Sequence, residues 1–353
     1  MRQKILHVCN LDKFIPPFVD FIEQNFDLND QFFWLNGDHD SYPTKLCRSK
    51  YEVKRSKIGK IKGLLKLAQI MHTSERIILH NLFNQNVVLL LFFMPWLLKR
   101  CYWVVWGADL YVYQFGERNW KWRLREFFRR PVIKNMGFFS TTVPGDYLMA
   151  KDWYGTNAKW IHNLMYPSHL YTPIETISCK EKKGETIYIQ IGNSADPANN
   201  HFEIIDELEK YKDRNIKVYC PLSYGSAVHK NNVINYGKKV LGKKFIPMTN
   251  FMRIREYSSH MACIDIAIFN HERQQAMGNT IGLLSLGKKV ILREGVTPFS
   301  FFKGIGLNVY TINDDNLLVK LEEGVALENI SKMKNYFNAD RLKANWMKIF
   351  YDK

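Results

Sequence analysis

The chain has 353 residues and a formal net charge of +16, from 50 Lys+Arg against 34 Asp+Glu. Apolar residues make up 46% and charged residues 24%, which excludes wholesale disorder and leaves enough chain for about two domains. The charge is uneven, because positions 45–134 hold 19 basic and 5 acidic residues. Such a band predicts an anionic partner: nucleic acid, a phosphorylated ligand or an anionic membrane surface. A merely solvated surface is an equal alternative.

The first half alternates short apolar runs with longer amphipathic stretches, which predicts an α/β fold with a parallel sheet. Strands are expected at 4–9, 31–35, 76–80, 102–106 and 136–141, and helices at 18–25, 60–71, 86–99 and 120–134. The longest apolar run, 87–98, is shorter than a membrane span and contains Pro95. A core element is predicted for most of it, and an apolar face at a lipid interface beside Lys99 and Arg100 is the alternative. The N-terminus turns polar too early for a signal peptide, so any membrane role is expected to be peripheral.

Residues 166–185 combine two prolines, Ser/Thr residues and a charged cluster, as interdomain linkers often do. The alternation then restarts, with strands expected at 186–191, 217–220, 264–269 and 289–292, helices at 200–211, 253–261 and 278–286, and a helical tail at 330–353. We therefore expect two Rossmann-like domains facing one another across a cleft. Their predicted bounds are 1–170 and 186–335, with a linker at 171–185 and a C-terminal helix at 336–353 packing back on the first domain.

The six cysteines are scattered and include no C-x-x-C pair. Most lie in apolar runs, which predicts buried thiols in a reducing compartment rather than a disulfide or zinc framework. They are Cys9, Cys47, Cys101, Cys179, Cys220 and Cys263.

Ligands of open α/β sheets bind beyond the carboxyl ends of the strands, so the loops after the strands are the first places to search. The loop 192–201 (GNSADPANNH) leads from a strand into a helix, an arrangement that points free N–H groups at an anion. Asn193, Ser194 and Asn200 add side-chain donors. The loop is neither a Walker loop nor G-x-G-x-x-G, and an ordinary capped turn is the alternative.

The loop 269–280 (FNHERQQAMGNT) is the most informative, because it joins an arginine to the start of a helix. An arginine fork beside a helix N-terminus suits a diphosphate. The residues concerned are Arg273, Gln274, Gln275, Gly278, Asn279 and Thr280. Tyr224, in a turn, is a candidate to stack on a base or sugar, or is a rim tyrosine. Glu294 is a candidate to bind sugar hydroxyls, or forms a surface ion pair.

In the first domain, the segment WGADLY places Asp109 directly after a strand. A partly desolvated carboxylate there is a candidate general base, and a helix N-cap is the alternative. His7 and His80 lie at strand ends and Asp12 in a following loop; a satisfied core histidine is the commoner role for each histidine.

These segments together resemble the bacterial family 56 glycosyltransferases, the TDP-N-acetylfucosamine:lipid II N-acetylfucosaminyltransferases. The matching segments are ILHV at 5–8, WGADLY at 106–111, GNSADPANNH at 192–201, VYCPLSY at 218–224, IF at 268–269 with RQQAMGNT at 273–280, and LRE at 292–294. The resemblance implies a GT-B fold without a metal-binding D-x-D or a cofactor. It also implies transfer of an acetamido-deoxyhexose, best matched by dTDP-Fuc4NAc, to a polyprenyl-diphosphate-linked saccharide at the cytoplasmic face of the inner membrane.

Carried onto this chain, the resemblance implies a donor site on the second domain and an acceptor side on the first. The donor residues are Asn193, Ser194, Asn200, His201, Tyr224, Arg273, Gln274, Gln275, Gly278, Asn279, Thr280 and Glu294; those of the acceptor side are His7, Asp12, His80 and Trp106. The start of the helix at 278–280 and Arg273 would stabilise the leaving diphosphate without a metal. Asp109 would accept the proton of the acceptor hydroxyl if the reaction inverts; for a retaining reaction it has another role.

Two other interpretations remain open. One is a GT-B transferase or epimerase that uses a GDP- or UDP-sugar. The other is a basic nucleic-acid-binding protein that uses 45–66 and 118–134, but it lacks a helix-turn-helix, RRM or zinc signature and leaves RQQAMGNT unexplained. We therefore expect a nucleotide-sugar donor, a lipid-linked acceptor and an anionic membrane surface as partners, and no nucleic acid.

Overall fold

The computed structural model describes residues 4–45, 49–173, 179, 184–314 and 316–352. The chain divides into two compact units. Unit 1 comprises Met1–Ser168 and Ala339–Lys353, and unit 2 comprises His169–Asn338.

Unit 1 is built on a seven-stranded parallel sheet in the order β3-β2-β1-β4-β5-β6-β7. Its strands are β1 (Ile5–Asn10), β2 (Gln31–Asn36), β3 (Lys50–Glu52), β4 (Arg76–His80), β5 (Cys101–Val104), β6 (Phe138–Thr141) and β7 (Lys159–His162). Its helices are α1 (Ile15–Asn25), α2 (Lys57–Thr73), α3 (Gln85–Phe93), α4 (Ala108–Phe115), α5 (Trp120–Lys134), α6 (Pro144–Tyr154) and α13 (Ala339–Tyr351). The central strands are almost wholly buried, as expected of a parallel sheet covered on both faces.

Local sequence sets where the helices of unit 1 begin and end. Ser56 and Asn119 cap α2 and α5 by accepting a backbone N–H through their side chains. The single helix expected at 86–99 is instead α3 followed by a 3-10 helix at Pro95–Arg100. Pro95 causes the break, because proline lacks the N–H that a continuing helix would need.

The C-terminal helix completes the core of unit 1. Trp346 on α13 is fully buried, and its Nε1 donates to the carbonyl oxygen of Met165 at 2.9 Å. Its ring lies 4.8 Å from that of Phe18 on α1. The predicted return of the C-terminal helix to the first domain is therefore confirmed. The tail is not one helix, however, because α12 (Glu323–Tyr336) ends in unit 2 before α13 begins.

Unit 2 contains a five-stranded parallel sheet in the order β10-β9-β8-β11-β12. Its strands are β8 (Ile187–Ile191), β9 (Ile216–Pro221), β10 (Phe245–Met248), β11 (Ile266–Phe269) and β12 (Lys289–Leu292). Besides α12, its helices are α7 (His201–Glu209), α8 (Ala227–Leu241), α9 (Ile254–Cys263), α10 (Met277–Ser285) and α11 (Thr297–Gly304). The two Rossmann-like sets of parallel strands confirm the predicted fold class.

The cysteine prediction is wrong for one pair. Cys179 and Cys263 form a disulfide that ties the segment before β8 to the end of α9. Cys179 lies outside any helix or strand and is only partly buried. Three cysteines are buried thiols as expected, namely Cys9, Cys101 and Cys220. Cys47 lies outside the described residues, as does most of the predicted linker.

Candidate functional site

The carboxyl edge of the unit 2 sheet brings together the loops that the sequence singled out. Gly192 begins the loop after β8 with φ +62°, and an added Cβ would lie 2.7 Å from both Asn199 Oδ1 and His201 Nε2. Only glycine fits there without displacing those side chains. Asn199 Oδ1 in turn accepts hydrogen bonds from the backbone N–H of Asn193 and from His271 Nε2, both at 2.9 Å.

Asn193 joins three loops. Its Nδ2 donates to the hydroxyl oxygen of Tyr224 after β9, at 2.9 Å. Its Oδ1 accepts from Nε2 of Gln275 after β11, also at 2.9 Å. Three residues far apart in sequence therefore form one polar surface, with the ring of Tyr224 47% exposed beside it.

Helix α10 begins next to this surface. Ala276 before it is left-handed, and no side chain of the described residues caps the helix, so its first N–H groups have no capping partner there. Gly278 and Asn279 lie in the first turn, and Thr280 is buried. Oε1 of Gln274 and Oε1 of Gln275 are buried acceptors without a hydrogen-bond partner in the described part of the chain.

Arg273 is near α10 but already has a partner. Its guanidinium donates to Asp196 Oδ2 at 2.7 Å and to the carbonyl oxygen of Gln274 at 3.2 Å. The side chain is only 13% exposed, so the ion pair is partly shielded from water. An anion bound at the start of α10 would compete with Asp196 for this arginine.

The histidines of the site are neutral near pH 7. Burial lowers the pKa of His201 and of His271 to about 3 each. Repulsion from His229 lowers the pKa of His201 by a smaller amount, and repulsion from Arg273 does the same for His271. His201 Nδ1 lies 3.1 Å from His229 Nε2, and its Nε2 has no partner among the described residues. Sequence reasoning missed His271, although it lies in the Asn-His-Glu segment directly before Arg273.

The other predicted donor residues, Ser194, Asn200 and Glu294, lie outside the hydrogen bonds that Asn193 makes with Tyr224 and Gln275. Ser194 Oγ accepts a long 3.4 Å hydrogen bond from Asn199. Asn200 holds a left-handed turn and donates to the carbonyl oxygen of Asn270 at 3.1 Å. Glu294 is exposed after β12, and its neighbour Arg293 pairs with Glu203 on α7.

In unit 1, Asp109 occupies a different environment from the one expected. It is fully buried rather than at the open edge of the sheet. Burial raises the pKa of its carboxyl, and the hydrogen bond from Trp103 and the charge of Arg129 act in the opposite direction. Three N–H groups occupy its two oxygens: Leu82 N at 3.0 Å, Trp103 Nε1 at 2.7 Å and Trp106 N at 2.9 Å. This arrangement is that of a buried carboxylate that fixes the backbone around it, and the base role stays a prediction.

His7 and His80 are the middle of a buried hydrogen-bonded chain. His7 Nε2 lies 2.8 Å from Gln31 Oε1, and its Nδ1 lies 3.1 Å from His80 Nε2. His80 Nδ1 lies 2.7 Å from the hydroxyl of Tyr166, which accepts from Trp106 Nε1 at 2.8 Å. The predicted acceptor-side residues His7, His80 and Trp106 are thus connected, but the two histidines are wholly buried.

Asp12 differs from these residues because part of it is unpaired. It follows β1, and its Oδ1 is a buried atom without a hydrogen-bond partner in the described ranges. This oxygen therefore has unused capacity to accept a hydrogen bond at the carboxyl edge of the sheet.

Sequence reasoning missed an asparagine cluster at the same edge. Asn10 ends β1, Asn36 ends β2, and Asn81 follows β4, so three neighbouring strands each end at an asparagine. Asn10 Nδ2 donates to Asn81 Oδ1 at 3.0 Å, and Asn36 Nδ2 donates to Asn10 Oδ1 at 3.1 Å. A cavity of about 580 Å³ opens beside this cluster. The signal was visible in the printed sequence as an asparagine after each of three predicted strands.

A surface of unit 1 combines apolar and basic side chains on four helical segments, and we call it the apolar–basic face. Its apolar residues are each more than half exposed: Ile58, Ile61 and Leu65 on α2, Phe93 and Trp96 at α3 and the 3-10 helix, and Trp120, Leu124 and Phe127 on α5. Its exposed basic residues are Lys57, Lys60, Lys62, Lys66, Lys121, Arg123 and Arg125. Trp96 Nε1 donates to His72 on α2 at 3.3 Å, and the ring of Phe92 lies 6.0 Å from that of Phe127, so the segments are contiguous.

Comparison with known proteins gives both a family and a fold. The family model described as 4-alpha-L-fucosyltransferase glycosyl transferase group 56 matches residues 18–346. A glycosyltransferase from Rickettsia africae is similar in structure, with a TM-score of 0.65, 13% identity and coverage of 99% of this chain and 98% of that one. Anabaena Alr3699/HepE, in complex with UDP and glucose, has a TM-score of 0.69, 11% identity and 98% coverage of both chains. WaaG, a glycosyltransferase involved in lipopolysaccharide biosynthesis, has a TM-score of 0.62, 10% identity and coverage of 99% and 100%.

Proposed function

Because the chain belongs to glycosyl transferase group 56 and is a glycosyltransferase with the GT-B fold, we propose that it transfers a deoxy- or acetamido-deoxyhexose from a nucleoside diphosphate to a saccharide on polyprenyl diphosphate. The first-choice donor is dTDP-Fuc4NAc, and the product would serve bacterial surface polysaccharide synthesis. The observation that carries the proposal is the joining of three loops through Asn193 beside the uncapped start of α10.

The chemistry around α10 supports a nucleoside diphosphate as the donor. The positive end of a helix favours a diphosphate, and Arg273 lies close enough to exchange Asp196 for a phosphate oxygen. The unpaired amide oxygens of Gln274 and Gln275 would accept hydrogen bonds from a base or sugar. As the bond from the anomeric carbon to phosphate breaks, the growing negative charge would be stabilised by these groups without a metal.

The hydrogen-bond partners of the two carboxylates favour Asp12 over Asp109 as the base. The acceptor hydroxyl would form the new bond to the anomeric carbon and give its proton to a carboxylate. Asp12 has an oxygen without a partner among the described residues, whereas both oxygens of Asp109 already accept from N–H donors and that residue is fully buried. Asp109 then acts as a positioning residue, because it fixes the backbone of Trp106 at the edge of the sheet.

The apolar–basic face supports a peripheral membrane location at the cytoplasmic side of the inner membrane. Trp120, Leu124 and Phe127 recur at the spacing of one helix face and are interleaved with exposed lysines and arginines. Each basic group near an anionic lipid surface contributes about 1 kcal/mol. Within the described residues, no helix is both long and apolar enough to cross a bilayer.

A thermal-shift panel followed by a transfer assay tests the proposal. The panel compares dTDP, UDP, GDP and a short DNA duplex; UDP belongs in it because the Anabaena protein was studied with UDP. We expect dTDP to stabilise the protein most, and Arg273→Ala to weaken that response while the control Arg255→Ala, an exposed arginine on α9, leaves it unchanged. Stabilisation by DNA alone would overturn the proposal.

A further inference from the structure

The loops after β8 and β11, which form the polar surface of unit 2, are joined through one buried asparagine. Asn199 lies in the first of these loops and is fully buried. Its Oδ1 accepts from the backbone N–H of Asn193 and from Nε2 of His271 in the second loop, both at 2.9 Å. Its Nδ2 donates to the carbonyl oxygen of Asp196 at 2.9 Å and to Ser194 Oγ at 3.4 Å. An asparagine amide offers two acceptor and two donor positions, so all of them have a partner within the protein.

The hydrogen bond between His271 and Asn199 has a fixed direction. A backbone N–H can only donate, so the amide atom that faces the N–H of Asn193 is the oxygen. That oxygen can only accept, and Nε2 of His271 therefore carries a proton in the neutral ring. The imidazole is 3% exposed and stacks on Phe269, with ring centroids 5.4 Å apart and ring planes 18° apart. The ring is thus held in place both by stacking and by its hydrogen bond to Asn199.

The two loops have little regular structure of their own. The first contains the 3-10 turn Pro197–Asn199, and the described residues between β11 and α10 form neither helix nor strand. Each loop ends at a residue other than glycine in the left-handed region, Asn200 with φ +51° and Ala276 with φ +55°. Such a backbone costs free energy and persists where surrounding contacts impose it. One contact between the loops joins Asn200 Nδ2 to the carbonyl oxygen of Asn270 at 3.1 Å, and the bond to Asn199 is another.

Asn199 supports both ends of a segment of the candidate donor site. At one end it fixes the backbone of Asn193, whose side chain joins the loops after β9 and β11. At the other end it fixes the carbonyl group of Asp196, whose carboxylate holds Arg273. The start of the loop packs against the same amide, since a Cβ added at Gly192 would lie 2.7 Å from its oxygen. One fully buried side chain therefore determines where two groups of the candidate donor site lie.

We infer that Asn199 and His271 are positioning residues for donor binding, which hold the loop after β8 in its binding arrangement without touching the donor. The inference rests on the proposed function, because it takes the surface around Asn193 as the donor site. Binding to a preformed site costs less conformational entropy than binding to a site that the ligand must order. Loss of the hydrogen bond between Asn199 and His271 should therefore weaken the affinity for the donor, while the affinity for the acceptor stays the same.

Isothermal titration of the full chain with dTDP and with UDP tests the inference through two substitutions at His271. His271→Phe keeps a ring against Phe269 and removes the N–H that Asn199 accepts, so the affinity for the tighter-binding nucleotide should fall about tenfold. His271→Gln keeps an N–H donor in the side chain and should restore most of that affinity. In a transfer assay, His271→Phe should raise the KM for the nucleotide-sugar donor and leave the KM for the acceptor unchanged.

Asn329→Ala is the matched control for a general loss of stability. Asn329 on α12 is also fully buried, and its amide bonds both the N–H and the carbonyl oxygen of Asn308, at 2.8 and 3.0 Å. Asn199→Ala and Asn329→Ala should both lower the unfolding temperature. Only Asn199→Ala should weaken nucleotide binding when the titration is done well below both unfolding transitions. If Asn199→Ala does not fold, the two variants of His271 decide the question.

The outcomes separate this inference from the proposed function. Wild-type nucleotide affinity in His271→Phe would overturn the inference, and so would equal losses in the Phe and Gln variants, because the hydrogen bond would then not be the cause. An equal loss of affinity in Asn329→Ala would also overturn it, since general stability would account for the effect. A wild-type protein that binds neither nucleotide would instead remove the proposed function, and the inference with it.

Discussion

The indole Nε1 of Trp106 donates to the phenol oxygen of Tyr166 at 2.8 Å, and this bond is one end of a chain of buried hydrogen bonds. Tyr166 then donates its own proton to His80, His80 donates to His7, and His7 donates to Gln31. The order follows because the carbonyl oxygen of Gln31 can only accept, which fixes the tautomer of each histidine in turn. Trp106 is therefore held at its indole by Tyr166 and at its backbone by Asp109.

Removing the central hydroxyl should be costly. Tyr166→Phe leaves Trp106 Nε1 and His80 Nδ1 without their partner in a buried site, so we expect a loss of about 1–3 kcal/mol in unfolding free energy. Urea unfolding measures it. Tyr147→Phe, which loses one hydrogen bond to the carbonyl of Ala158, is the matched control and should lose less. Equal losses in the two variants would show that the chain does not act as a unit.

Asp109→Asn should affect folding before chemistry. The amide would present N–H groups where the carboxylate now accepts from Leu82, Trp103 and Trp106, so at least one buried N–H loses its acceptor. We expect a loss of about 2–4 kcal/mol in stability, accompanied by a fall in activity. Unchanged stability together with abolished transfer would restore Asp109 to the role of base.

Asp12→Asn should lower turnover without lowering stability. A carboxamide cannot take the proton of the acceptor hydroxyl, so turnover should fall by about 10²–10⁴-fold, while the unfolding temperature and the response to dTDP stay the same. Asp20→Asn on α1 controls for the loss of a charge in the same unit. Near-normal turnover of the Asp12 variant in a radiolabelled transfer assay would exclude Asp12 from the reaction.

The sequence predicted the centre of each sheet better than its edges. β4, inside the seven-stranded sheet, matches the expected strand residue for residue, because its run is apolar and buried. β12 matches as well, although it lies at the edge of the five-stranded sheet, because all four of its residues are buried. The missed strands β3, β7 and β10 all lie at sheet edges. Edge strands are covered on fewer sides, so they carry charged residues or, in β10, a proline, and their pattern resembles a loop.

The candidate site divides in a similar way. The loops after β8, β9 and β11 were found from the sequence because neighbouring parallel strands place their carboxyl ends together. The environment of Asp109 could not be read from WGADLY, because one of its donors, Leu82, comes from a distant segment. The ion pair of Arg273 with Asp196 could not be predicted either, because the two residues are 77 positions apart in the sequence.

Stability should fall as the pH drops below about 6.5. Burial lowers the pKa of His7 to about 4 and that of His201 and His271 to about 3. Below about pH 6.5, these histidines therefore bind protons in the unfolded chain but stay neutral in the folded chain. Between an unfolded pKa of about 6.5 and the folded pKa, each such histidine costs about 1.4 kcal/mol per pH unit. Thermal unfolding from pH 7.5 to 5 measures this slope. His7→Gln should flatten it; an equally steep slope in that variant would remove His7 as a cause.

Membrane binding should depend on aromatic side chains of α5 and on charge. Replacing both Trp120 and Phe127 with serine removes two large exposed apolar groups that insertion at a lipid interface would bury, so sedimentation with vesicles of phosphatidylglycerol and phosphatidylethanolamine should fall several-fold. Phe251→Ser, an exposed phenylalanine of unit 2, is the matched control and should sediment like the wild type. Raising the salt concentration should weaken binding further, because the lysines and arginines of this face act through screened charge. Equal sedimentation of the double variant and the wild type would exclude the apolar–basic face as the membrane contact, and salt-independent binding would exclude its charges.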